Sequence, residues 1–252
     1  MTSAKPQPRA LILYVLLIPM WGTAALAQDS GFSLGLGAYS EERAYGDTVT
    51  GPVPLITYDS PYFSFSGASA DLKLPWISTE TVSLSFRAAL SIGEGYDGSD
   101  TDILDGMDDR EGGFWTGAAV EWNSAIADFS LEGLADVSGD SDGHRVRLEM
   151  SRDFKLDRVV LTPRLVGTWM DDEAVDYFYG VRAGEATLAR PEYQGEATTS
   201  VTLGLRAAYL PAANHMIVLD LSATQVGDGI SDSPIAVDDT LTGVGLGYIY
   251  RF

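Results

Sequence analysis

Beyond residue 30, apolar residues fall on every second position through most of the chain. Phe32, Leu34, Leu36 and Ala38 alternate with Ser33, Gly35 and Gly37. Val82, Leu84, Phe86, Ala88 and Leu90 alternate with Ser83, Ser85 and Arg87. Val146, Leu148, Met150 and Phe154 alternate with Arg145, Arg147, Glu149 and Asp153. The same period runs through residues 159–169, 201–209 and 217–223. Successive side chains of a strand point to opposite faces, so each stretch predicts a strand with one apolar and one small or polar face. Val244, Leu246, Tyr248, Tyr250 and Phe252 give the plainest case, with Gly243, Gly245, Gly247 and Arg251 between them and Ile249 the one apolar exception. In a soluble protein such a strand would be a greasy sheet edge. In a closed transmembrane barrel it pairs with the first strand and turns its apolar face to lipid.

Many strands of this kind with glycine-rich spacing predict an all-β fold, a transmembrane antiparallel β-barrel. The terminal phenylalanine, with aromatic or aliphatic residues at alternate preceding positions, resembles the sorting signal that the barrel assembly machinery reads. Tyr39, Trp122, Trp169, Tyr209 and Tyr248 end apolar faces and are expected in the two interfacial girdles. Connections set the strand number. Short ones fall at residues 76–80, 123–124, 155–157 and 211–214, and long ones at 41–52, 93–113, 139–143, 171–195 and 227–239. These alternate if residues 53–74 form one long kinked strand and 176–181 lie in an outside loop. That gives ten strands with both termini in the periplasm. Splitting 53–74 at Pro61 and counting 176–181 as a spanning strand gives twelve instead, with the acidic loop 93–113 moved to the periplasm. The alternation favours ten.

The first residues change the picture of where the chain resides. Lys5 and Arg9 precede the apolar run of residues 10–18 (ALILYVLLI), and Ala25-Leu26-Ala27 fits a small-x-small cleavage site. Residues 1–27 therefore read as a cleaved signal peptide, and 28–252 as a single barrel domain. No later stretch has the 18 consecutive apolar residues that a transmembrane helix needs. There is no cysteine, and so no disulfide framework or lipoprotein anchor. Two of the 16 basic residues lie in the leader and none of the 36 acidic ones, so the mature chain carries 14 against 36, a formal charge of −22. That excludes nucleic acid as a partner.

Candidate chemistry is sparse. Residues 93–113 (GEGYDGSDTDILDGMDDREGG) are densely acidic, and Asp97, Asp100, Asp102 and Asp105 are candidate calcium ligands through hard oxygen atoms. The spacing is not that of an EF-hand. Cation bridging to lipopolysaccharide is a related reading. Arg87, Arg145, Arg147, Arg164 and Arg206 sit on polar strand faces with Glu149 and Asp220. In a barrel that face is the lumen, where charges need partners, so a plugged, salt-bridged interior is expected ahead of a narrow polar channel. His144 and His215 fall at opposite ends of the barrel, so no shared catalytic site, enzyme activity or cofactor is expected.

The chain resembles the MipA/OmpV family of Gram-negative outer-membrane proteins. The stretches that carry the resemblance are FSLGLGAY (residues 32–39), Gly51-Pro52-Val53-Pro54, DYFYGVRAGEA (176–186), Arg190-Pro191-Glu192-Tyr193, LGLRAAY (203–209), Asp232-Ser233-Pro234-Ile235 and the final GVGLGYIYRF. The resemblance implies an integral barrel surrounded by outer-membrane lipid and lipopolysaccharide. It also implies a scaffold for periplasmic partners, since one member binds a murein lytic transglycosylase and a murein synthase. The contact surface would then be the short turns. A small polar-solute channel and a surface barrel with cation-binding or adhesive acidic loops are the alternatives.

Overall fold

The computed structural model describes residues 31–91 and 95–252, so the signal peptide reading and Glu94 lie outside the described residues. One antiparallel sheet closes on itself. Its segments are β1 (Gly31–Glu42), β2 (Thr48–Asp59), β3 (Phe63–Ser66), β4 (Ser69–Lys73), β5 (Val82–Leu90), β6 (Phe114–Asn123) and β7 (Asp128–Asp136). Then come β8 (His144–Ser151), β9 (Phe154–Leu156), β10 (Val159–Met170), helix α1 (Asp172–Tyr179), β11 (Thr198–Ala212), β12 (His215–Gln225), the short helix α2 (Asp228–Ser231) and β13 (Thr240–Arg251). The last strand meets the first from Ser33 opposite Arg251 to Glu41 opposite Gly243, and the Phe252 N–H donates to the Phe32 carbonyl at 3.0 Å.

Segments β8 and β9 are one wall strand. Ser151 faces Arg164 and Phe154 faces Leu161 in a single register along β10. Pro163 falls in the gap between them and has no N–H to donate, which interrupts the ladder there. The wall therefore has twelve strands, not ten. Both extra strands come from residues 53–74, which form the lower part of β2 and the short hairpin β3–β4 rather than one kinked strand. Pro61 ends the first segment, and Gly67, with φ at 58°, turns the hairpin in the left-handed region that glycine tolerates. Residues 176–181 are no spanning strand, since most of them belong to α1. Because two strands are gained within one wall segment, the long connections still all lie at one end, the loop end. The turns at 60–62, 74–81, 124–127, 157–158 and 213–214 lie at the other, the turn end.

The two faces follow the period read from the sequence. Leu36, Phe86, Leu203 and Leu246 are exposed on the outer face, while Gly245, Gly247 and Ile249 are buried inside. Ile249 is explained by its neighbours: it joins an interior apolar cluster with Val53, Leu55, Ala208 and Val218. Tyr39 belongs to that cluster and is 4% exposed, so it is not a girdle residue. It shares the parity of Ser33, Gly35 and Gly37, which face inward. Trp122, Trp169, Tyr209 and Tyr248 do point outward.

The β3–β4 hairpin is short, and only Thr57–Asp59 of β2 pair with it. Above that level no strand among the described residues pairs with β2 on this side. The Gly67 N–H donates to the Ile56 carbonyl at 3.2 Å, so alternate residues above Ile56 aim their backbone groups at the gap. Pro54 and Pro52 hold those positions. Their missing N–H groups cost the β1 ladder nothing and blunt an open edge against stray strand pairing.

Candidate functional site

The loop end is closed by a folded cap. Helix α1 starts at Asp171, whose carboxylate accepts from the Ala174 N–H at 3.0 Å, and it buries Ala174, Val175 and Phe178. Gly143 must be glycine for this packing, because a Cβ there would lie 2.5 Å from the Ala174 Cβ. Tyr45, Tyr96, Leu104, Met107, Val181 and Ile235 form the core of the cap. The Tyr45 hydroxyl donates to the Phe178 carbonyl at 3.0 Å, and the Ser233 hydroxyl donates to the Tyr179 carbonyl. Burial pushes the Tyr45 phenol well above its ordinary pKa and that of Tyr96 up to about 12.

A buried ion pair pins the cap together. Arg110 and Glu185, 1% and 5% exposed at their side chains, meet at 2.9 and 3.1 Å. Arg110 also donates to the carbonyls of Tyr177 (2.8 Å) and Asp108 (2.9 Å). Burial raises the Glu185 pKa, but the backbone N–H groups of Arg182 and Asp108 and the Arg110 guanidinium outweigh it and hold the carboxyl below its ordinary value. Arg190 donates to the carbonyls of Ile103, Asp105 and Glu185, stitching loop 95–113 to loop 171–197. The more distinctive stretches of the resemblance, Tyr179-Gly180-Val181, Arg190-Pro191-Glu192-Tyr193 and Asp232-Ser233-Pro234-Ile235, are thus building pieces of the cap rather than of the membrane wall.

Below the cap the lumen charges interlock. Arg87 meets Asp71 at 2.6 Å and also bonds Glu132. Neither acid was among the residues picked from the sequence, although both lie on inward-facing parity. Arg147 meets Glu149 at 2.7 Å. Arg164 and Arg206 both reach Asp220, at 2.7 and 3.0 Å. The Arg145 guanidinium lies over the Trp115 ring, 4.5 Å from the centroid, and donates to Ser91. Of the predicted lumen set, Arg87, Arg145, Glu149 and Asp220 are buried and Arg147, Arg164 and Arg206 are partly buried.

Toward the turn end the lumen widens into a cavity of about 500 Å³. Its walls are layered by register. The upper layer is polar: Thr162, Arg206 and Asp220 stand side by side on β10, β11 and β12, Thr162 donates to Asp153 at 2.7 Å on its other side, and Tyr39 lines the same layer. One layer down are Val160, Ala208, Val218 and Val53, and next come Leu210, Met216, Ile249 and Leu55. Lys155, Asp157 and Arg158 line the mouth at the turn end, and Ser66 and Gly67 lie on the flank beneath the gap beside β2.

Other candidates from the sequence are not gathered into a site. Among the described residues no three acidic, histidine or cysteine side chains converge as metal ligands would. Of the four proposed calcium ligands, Asp100 is bound by Arg43 at 3.0 Å and accepts from the Asp97 N–H, while Asp102 and Asp105 are not drawn to it. His144 sits at the loop end against Asp171 (2.8 Å), and His215 at the turn end against the Tyr248 hydroxyl (2.7 Å). The Ser141 hydroxyl donates to Asp136, not toward His144.

Three consecutive turns at the turn end, 60–62, 74–81 and 124–127, expose Tyr62, Trp76, Ile77 and Ile126. Trp76 is 70% and Ile126 85% exposed. Both lie past the final ladder pairs of their hairpins, Lys73 with Ser85 and Asn123 with Asp128, and so beyond the wall itself.

Comparison with known proteins places these features. A family model described as MltA-interacting protein MipA matches residues 34–252. The putative outer membrane protein YiaT of Escherichia coli O157:H7 is 27% identical over 218 residues, covering 84% of this chain and 87% of that protein. The MltA-interacting protein of Escherichia coli K12 is 25% identical over 235 residues, covering 91% and 94%. Among solved structures, the COG4313 outer membrane channel from Pseudomonas putida F1 aligns with a TM-score of 0.46 at 13% identity, covering 92% of this chain and 99% of that one.

Proposed function

We propose that this chain, which belongs to the MltA-interacting protein MipA family, is a closed scaffold that presents its turn end to murein-turnover proteins in the periplasm, a lytic transglycosylase and a murein synthase. It is an outer-membrane β-barrel, as the names of its relatives and the closed twelve-strand wall agree. The observation that carries the scaffold reading is the closure of the loop end. The mouth is filled by α1 and its apolar clusters, and the charges beneath it neutralise one another. A solute channel needs an open, hydrated path, and this arrangement favours a static wall.

The exposed turn residues supply the docking chemistry. Girdle aromatics sit on strands at the membrane interface, whereas Trp76, Ile77 and Ile126 lie in turns beyond the ladders. Tryptophan is among the residues that most often carry interface energy. Three neighbouring turns together offer a broader footprint than any single turn, which matters because specific interfaces bury about 800 Å² per partner. Ser78 and Ser124 hold their own turns through hydrogen bonds to the carbonyls of Leu74 and Ala127, so the exposed neighbours are the better probe positions.

The test is photo-crosslinking in intact cells from Trp76, Ile77 and Ile126, with Leu188 on the loop end as control and mass spectrometry of the adducts. Enrichment of a murein hydrolase or synthase from the turn positions alone is the expected result. Adducts only to lipid or to abundant periplasmic proteins, together with stepped conductance of the purified barrel in planar bilayers, would replace the scaffold with a channel.

A further inference from the structure

We propose that the turn-end chamber binds an uncharged, mainly aliphatic small molecule and excludes ions of either sign. The volume, about 500 Å³, lies inside the range of about 300–1,000 Å³ usual for small-ligand sites. Protein interiors close most voids larger than a water molecule, so the residues around this one hold it open. Gly245 would admit a side chain, since a Cβ there has its nearest contact at 3.8 Å, and Ala208 puts only a methyl group between Val160 and Val218. The walls below the roof are aliphatic: Val160, Ala208 and Val218, then Leu210, Met216 and Ile249. Apolar walls give water few hydrogen-bond partners, so such a space is filled best by an apolar body.

The charges decide the ligand class. At the roof Arg147, Arg164 and Arg206 stand with Glu149, Asp220 and Asp153, three guanidiniums against three carboxylates. Asp220 takes two hydrogen bonds from Arg164 (2.9 and 2.7 Å) and one from Arg206 (3.0 Å). Arg147 meets Glu149 at 2.7 Å, and Asp153 accepts from Thr162 at 2.7 Å. The roof is therefore balanced within itself. Lys155, Asp157 and Arg158 at the mouth are exposed, so water and salt screen them. An ion that leaves water for this chamber finds no opposite charge in surplus, and burying a charge is costly unless it is paired. An uncharged chain meets no such penalty, and a hydroxyl at its end can stay in water at the mouth.

The probe is dodecanol carrying a photoactivatable diazirine near its methyl end, applied to the full chain in phospholipid nanodiscs, with labelled residues mapped by mass spectrometry. Strand alternation supplies an internal control. Chamber binding labels the inward-facing Leu210, Met216 and Val218, whereas partitioning into lipid labels the outward-facing Tyr209, Ile217 and Leu219. Plain dodecanol should compete the inward label away relative to the outward one, and dodecanoate and dodecyltrimethylammonium should each compete at least tenfold less well. Asp153→Asn leaves the roof one carboxylate short, and there dodecanoate should compete at least threefold better than in the parent chain. A phospholipid with the diazirine in one acyl chain should label outward residues alone. Gly245→Leu, which fills the space, should lower inward labelling by dodecanol at least tenfold while the barrel still migrates as folded before boiling. Dodecanol label confined to outward residues, equal competition by either ion, no gain for dodecanoate in folded Asp153→Asn, inward label from the phospholipid, or inward label unchanged in folded Gly245→Leu would each overturn the proposal. Should both variants misfold, the labelled positions and the competition on the unaltered chain still decide it.

Discussion

Replacing Arg110 with methionine should unlatch the cap without unfolding the barrel. The substitution keeps the stem and removes the guanidinium. Glu185 would then keep only the backbone N–H groups of Arg182 and Asp108, and the carbonyls of Tyr177 and Asp108 would lose their donor. Removing one partner of a buried ion pair costs about 3–5 kcal/mol. The two surviving N–H bonds argue for the lower end of that range, near 3 kcal/mol, and a lost bond at each carbonyl adds about 1 kcal/mol or less. A total near 4 kcal/mol raises the population of the open cap by roughly a thousandfold. Hydrogen exchange of residues 172–181 and protease cleavage within 95–113 read that change directly, while the ladders of β11–β13 serve as an internal reference. Adding Glu185→Leu to Arg110→Met should restore much of the protection, because an apolar pair leaves no buried charge behind. Exchange in Arg110→Met within twofold of the parent chain would refute the latch.

The same latch makes the cap acid-sensitive. The folded Glu185 pKa is depressed, so its contribution is complete above the ordinary glutamate value of about 4.3 and is lost as pH falls through the lower folded value. Exchange in 172–181 should rise below about pH 4 in the parent chain and lose this step in Glu185→Gln. On the wall, Leu246→Arg places a charge on the lipid face between Ala38 and Leu219, and should cost about 2–4 kcal/mol in vesicle-folding equilibria if that position lies near the bilayer midplane. Asp220→Asn leaves Arg164 and Arg206 without their carboxylate and should lower stability by about 3 kcal/mol in denaturant titrations. A smaller loss than Leu246→Arg produces would mean that solvent in the lumen screens both guanidiniums.

Face was legible wherever the period of two was unbroken. Val244, Leu246 and Tyr248 face outward and Gly245 and Gly247 inward, because parity alone decides it. Tyr39 shows the cost of reading residue type ahead of parity: an aromatic at the end of an apolar run was assigned to lipid, and its register puts it inside. The strand number depended on residues 53–74, where Phe63–Ser66 and Ser69–Lys73 are too short to read as separate spans. The signal present there was Gly67-Ala68 between two short alternating runs, enough for a two-residue hairpin. The charged lumen residues were recognisable individually, but their partners Asp71 and Glu132 come from strands whose neighbours only the register reveals. The cap was the least visible part. Asp171, Arg110, Glu185 and Ser233 are far apart in sequence and act through backbone carbonyls and N–H groups, which leave no periodic trace. The chamber was invisible for a related reason, since a void is defined by the closure of six strands from β10 to β2 and not by any one of them.

Everything proposed for the turn end depends on the side of the membrane it faces, and a chain without native cysteine makes that directly measurable. Single cysteines at Leu188 on the cap and at Ile126 on a short turn, both highly exposed, would be challenged in intact cells with a maleimide that cannot cross the outer membrane. The orientation proposed here predicts immediate labelling at 188 and labelling at 126 only after the outer membrane is permeabilised. The reverse pattern would place the cap in the periplasm and contradict both the scaffold reading and the periplasmic mouth of the chamber.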